Sequence, residues 1–91
     1  MVRDADEAVR WLRKAAEQGN ADAQNNLGGL YFSDKDVAQN DEEAYFWLTV
    51  ASNSGDKRFA AMRDHIAGLL TPQQISDSQK RARDWNPAPA Q

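Results

Sequence analysis

The chain has 91 residues, a formal net charge of −3 and no cysteine. That length allows one domain at most, and the missing thiols exclude a disulfide framework, a thiolate zinc site and a cysteine nucleophile. A mildly acidic chain gains no counterion-release affinity for phosphate backbones or anionic bilayers, so neither nucleic acid nor membrane is expected as a partner. No apolar run approaches the roughly 20 residues a membrane span needs, and Met1-Val2-Arg3-Asp4 lacks a hydrophobic signal segment. The chain as it stands is expected to be soluble and cytoplasmic, or periplasmic if it is a fragment of an exported parent.

The first predicted element covers about residues 4–18. Ala8, Trp11, Leu12, Ala15 and Ala16 fall at i, i+3, i+4, i+7 and i+8, one face of an α-helix. Asp4, Asp6 and Glu7 load its first turn, where carboxylates favour the positive end of the helix dipole. Gly19 follows where a left-handed residue is wanted. A second helix over about 21–33 carries Ala23, Leu27, Leu30 and Tyr31 on one face, and residues 33–39 form a polar loop.

The third helix, about 41–54, repeats the first. Residues 4–20 (DADEAVRWLRKAAEQGN) laid over 40–56 (NDEEAYFWLTVASNSGD) pair without gaps at an offset of 36. Glu7/Glu43, Ala8/Ala44, Trp11/Trp47, Leu12/Leu48, Ala15/Ala51 and Gly19/Gly55 are identical. A period in the mid-thirties is that of a helix–turn–helix repeat. A fourth stripe, Phe59, Met62, Ile66, Leu69 and Leu70, spans about 57–70. Thr71-Pro72-Gln73-Gln74 then reads as a helix start with a capping box. The fifth helix, about 72–85, carries Ile75, Ala82 and Trp85 and is otherwise polar; residues 86–91 read as a flexible tail or linker. The fold class is therefore all-α, a solenoid of antiparallel helix pairs with five helices.

With the repeat laid out, the chain resembles the Sel1-like repeat family, a bacterial and eukaryotic relative of the tetratricopeptide repeats. Ala23, Leu27, Gly28 and Tyr31 match the family's first helix, Val37 its loop, and Ala44, Trp47, Ala51 and Gly55 its second helix. Residues 14–23 (KAAEQGNADA) are close to its most recognisable segment. On this pattern, 1–20 is a half repeat, 21–56 one complete repeat, and 57–85 a decayed half repeat with a C-terminal capping helix. The family loop usually has Gly where Asp34 and Asp36 stand here, so a differently shaped loop is expected. Gly28 costs about 1 kcal/mol of helix propensity against Ala and is expected to admit a neighbouring helix. The alanines at 8, 15, 44 and 51 are small for the same reason, with Trp11 and Trp47 filling core space beside them. The N-terminal edge has no polar cap. The chain is thus expected to end a longer solenoid or to pair with a second copy through its first helix.

Chemistry is sparse. Ser54-Gly55-Asp56-Lys57 matches the S-x-x-K nucleophile pattern, but its companion motifs S-D-N and K-T-G are absent. His65 is the only histidine and reads as solvated. Asp34-Lys35-Asp36 lacks the oxygen count of a cation loop. Trp85 either covers the core end or sits partly wet. No catalytic residue, metal or cofactor is expected, and the chain is not expected to be an enzyme. The resemblance implies a protein-interaction scaffold whose first helices line a concave face. By motif position this points to Asp22, Asn25, Gly29, Phe32 and Ser33 as a groove for a peptide or protein. The same residues also read as a solvated face, with Phe32 packed on a neighbouring helix. The rival functions are a structural end cap or self-association piece of a longer solenoid, and a weak β-lactam or cell-wall hydrolase.

Overall fold

The computed structural model describes residues 4–87. They form α1 (Ala5–Glu17), α2 (Ala21–Ser33), α3 (Asp41–Ser52), α4 (Lys57–Ala67) and α5 (Pro72–Asp84), and all regular structure among the described residues is helical. Met1–Arg3 of the expected first half repeat, and the expected tail after Pro87, lie outside the described residues.

Each helix starts on a side-chain cap. Asp4, Asn20, Asn40, Asp56 and Thr71 accept the N–H of Glu7, Ala23, Glu43, Arg58 and Gln74 at 2.8–3.1 Å. Such a cap typically contributes about 1 kcal/mol. The capping box predicted at Thr71 is closed, because the Thr71 N–H donates to Gln74 Oε1 at 2.9 Å. Gly19 and Gly55 take φ of 100° and 90°, a region that residues with a Cβ rarely enter. The short turns they make fold α2 back on α1 and α4 back on α3, and α2 packs on α3 as well. The α2–α3 loop manages without glycine: Asp34 is extended, and its carboxylate accepts the Asp36 N–H at 2.8 Å.

The solenoid core is two joined clusters. One gathers Ala16, Ala23, Leu27, Phe46, Trp47 and Val50, and the other Ala44, Tyr45, Leu48, Ala51, Phe59 and Ile66; the partly buried Tyr31 touches both. α3 is the central element and contributes to both clusters. The close approach expected at Gly28 is present. A Cβ there would lie 3.0 Å from Leu48 Cγ and 3.2 Å from the Ala44 carbonyl oxygen. Gln24 is buried, and its amide donates to the Ala16 carbonyl at 3.0 Å, tying α2 to the end of α1.

α5 packs on α3. Arg81 pairs with Glu43 and lies 3.7 Å from the centre of the Phe46 ring. Gln79 donates to the Tyr45 hydroxyl at 3.2 Å, and the half-buried Trp85 stands edge-on to Trp47 at 6.3 Å. Beyond α5, Pro87 lies beside Gly19, at the end of α1.

Three residues expected in the core are not there. Trp11 is 63% exposed, whereas its repeat mate Trp47 is 2% exposed. Trp47 is covered by α1, α2 and α5; the equivalent face of α1 has no helix over it among the described residues. Met62 and Leu69 are exposed too. α4 ends at Ala67, and only Phe59 and Ile66 of its stripe are buried.

Candidate functional site: the outer face of α2

Asn25, Gly29 and Ser33 fall at i, i+4 and i+8 on α2, so they form one stripe along the helix. Asn26, Leu30 and Asp34 form a second stripe beside it. The two rows line an open cleft of about 540 Å³, walled by Leu12 from α1 and Met62 from α4. The space over Gly29 is open, since an added Cβ there would meet nothing within 4 Å. The Ser33 hydroxyl is occupied along the helix, donating to the Gly29 carbonyl at 3.2 Å.

Met62 also lines a second, almost wholly apolar cleft of about 520 Å³ with Phe32, Arg58, Ala61 and His65. The two clefts therefore meet at one side chain and run from α1 across α2 to α4. Phe32 lies in this second part. It is half-buried against the α3–α4 cluster, and its ring meets His65 edge-on at 5.8 Å. Asp22 lines neither cleft. It stands at the start of α2, where its charge helps hold the Arg58 guanidinium protonated. The main influence on Arg58 is Asp56, which accepts its Nε–H and Nη2–H at 3.1 and 2.7 Å. The same contacts hold the Asp56 carboxyl below its ordinary range. Of the five residues predicted for the groove, three share one cleft, one lines its neighbour, and one lies apart.

Leu12, Leu30 and Met62 supply the apolar walls and were absent from the predicted groove. The repeat register carries a signal for Met62, which occupies the position of exposed Asn26 at the 36-residue offset.

The described residues offer little else that could do chemistry. Ser54 is exposed, and its hydroxyl makes one hydrogen bond, accepting the Asp56 N–H at 3.4 Å. It contacts no base that could activate it. No group of three or more His, Asp or Glu among the described residues is arranged to hold a metal, and no described helix is long and apolar enough to cross a membrane. A third cleft lies between α1, α3 and α5, lined by Arg13, Glu17, Phe46, Trp85 and others. Its charges are taken up internally: Arg13 by the Tyr31 hydroxyl, Arg81 by Glu43 and Asp84 by Lys80. It is the seam along which α5 docks.

The 36-residue period and the paired helices find their match in a known family. The family model of the Sel1 repeat fits residues 1–20 and 21–56. The chain belongs to the Sel1 repeat family. No curated protein matches it. Sel1 repeats are helical repeats that generally mediate protein–protein interaction without catalysis. Within the Sel1 unit of this chain, α2 and α3 are the two helices of the repeat at 21–56, and α1 lies in the match at 1–20.

Proposed function

We propose that the chain is a non-catalytic binding module that takes a peptide segment of another protein along the joined clefts of α2 and α4. The observation that carries this reading is the notch over Gly29. It is open at the floor, apolar at the walls through Leu12, Leu30 and Met62, and edged by Asn25 and Asn26. The walls accept one apolar side chain. The two amides offer donors and acceptors to the backbone on either side of it. Phe32, Ala61 and His65 extend the apolar strip by one more side-chain site.

The test is selection of binding peptides from a random displayed library, followed by titration of one selected peptide against variants. Gly29→Arg fills the notch and Asn25→Arg blocks its edge; neither replaces a buried side chain, so the fold is retained. Phe32→Ala is a poorer probe, because Phe32 also packs on the α3–α4 cluster. Binding lost with both arginine variants, with helix content unchanged, supports the reading. Binding unaffected by both variants contradicts it.

A further inference from the structure

The repeat register exposes a pattern around Trp11 that concerns a different face from the groove. On α3 the face toward α1 and α5 is Phe46, Trp47 and Val50, all at most 4% exposed. Thirty-six residues earlier the same positions are Arg10, Trp11 and Lys14. The tryptophan is kept, and its two apolar neighbours are replaced by cations. Its indole N–H donates to Glu7 Oε1 at 3.4 Å, and Lys14 Nζ lies 5.9 Å from the ring centre. Glu7, Arg10, Trp11 and Lys14 form a shallow cleft of about 290 Å³.

On α3 that face is covered by α5, through an arginine on Glu43 and a tryptophan edge-on to Trp47. α1 carries both sides of this chemistry on one surface: an acid and a tryptophan to receive, and cations and a tryptophan to offer. On the Trp11 face the charges are also segregated along the helix, while Glu17 at its far end stands off this cleft, 4.0 Å from Arg13. Asp4, Asp6 and Glu7 stand at its start, and Arg10 and Lys14 lie beyond, with Trp11 at the midpoint of Ala5–Glu17. Two such helices laid antiparallel about Trp11 bring residue 7 of one opposite residue 15 of the other. Glu7 of each copy then lies beside Lys14 of its partner, and the two indoles meet near the axis. A parallel arrangement sets acid against acid and cation against cation.

We infer that α1 is a self-complementary docking face, and that a second copy of this chain covers Trp11 in an antiparallel, twofold α1–α1 contact. A twofold interface requires one patch that complements itself, and this charge pattern meets that requirement. The pairing is weak. A 13-residue helix is only about 20 Å long, and one helix pair falls short of the roughly 1,200–2,000 Å² buried in stable interfaces.

Sedimentation velocity on the 91-residue chain is the test, with concentration raised from about 20 µM to about 1 mM, the range expected of a weak contact. The apparent mass is expected to climb from 10.2 kDa toward twice that value. Trp11→Arg, at an exposed position, is expected to stay monomeric with unchanged helix content. Glu7→Lys and Lys14→Glu are each expected to lose association about tenfold, because each sets like charges across the axis. Their equimolar mixture is expected to regain it, since every cross-axis pair is then opposite in charge. The inference is overturned if the native chain is monomeric throughout, if Trp11→Arg dimerises like the native chain, or if the mixture stays monomeric. None of these outcomes bears on the α2 cleft, whose residues lie outside this face.

Discussion

Gly28 and Gly29 are neighbours on one helix, and alanine at the two positions is expected to act with opposite sign. Neither has positive φ, so alanine recovers the same helix propensity at both, about 1 kcal/mol. At Gly29 the new methyl meets nothing within 4 Å, and the full gain remains. At Gly28 it arrives 3.0 Å from Leu48 Cγ and 3.2 Å from the Ala44 carbonyl oxygen. Leu48 is fully buried and the carbonyl belongs to the α3 backbone. Relief therefore requires α2 and α3 to separate by a few tenths of an ångström, and overpacking of this kind costs about 1–3 kcal/mol. Taking the middle of that range, Gly28→Ala loses about 1 kcal/mol net. The two variants should differ by about 2 kcal/mol in urea unfolding followed by helix circular dichroism. Equal stabilisation by both would refute the α2–α3 contact at Gly28, and with it the packing that makes these helices one repeat.

Two further outcomes follow from the same packing and charge arguments. Trp47→Ala should cost about 3–5 kcal/mol, a large share of the roughly 5–15 kcal/mol that holds a typical domain folded. Trp11→Ala, at concentrations that hold the monomer, should move the unfolding midpoint by no more than about 0.5 kcal/mol in free energy; similar losses for both tryptophans would contradict the burial difference. Asp56 gives a pH dependence. Arg58 lowers its carboxyl below the ordinary value of 3.8 in the folded chain, so the stabilising contribution is complete above that value and fades as pH falls through the lower folded one. Asp56→Asn keeps a capping side chain. Its deficit against the native chain should therefore be largest near neutrality and vanish in strong acid, as read by paired urea midpoints; Arg58 is well exposed, so added salt should shrink it.

The helices and their turns were legible because their signals are local. Apolar spacing set the faces, Gly19 and Gly55 marked left-handed turns, and Thr71-Pro72 announced α5. Gly28 was legible because a glycine in mid-helix is costly unless a neighbour needs the space. Burial was less legible, because it depends on what lies over a face. Trp11 and Trp47 share a repeat position, yet among the described residues only Trp47 is enclosed by other helices. The register held the missing information in its mismatches. Arg10 and Lys14 stand where Phe46 and Val50 are buried, and Met62 and Leu69 stand where Asn26 and Ser33 are exposed. In the groove, the four-residue spacing of Asn25, Gly29 and Ser33 was enough to place them together. Phe32 turns toward His65, and the walls come from α1 and α4, which no reading of α2 alone supplies. The docking of α5 on α3 rests on pairs such as Glu43 and Arg81, 38 residues apart, with no local trace.

The central claim is that the α2 cleft is where another protein is held. The most direct measurement is backbone amide shift mapping of the isotope-labelled chain during titration with a peptide selected for binding. The account predicts saturable shifts centred on Asn25, Gly29, Leu30 and Ser33, reaching Leu12 on one side and Met62 on the other. Shifts confined to the α5 seam or the Trp11 face, with α2 unmoved, would contradict it.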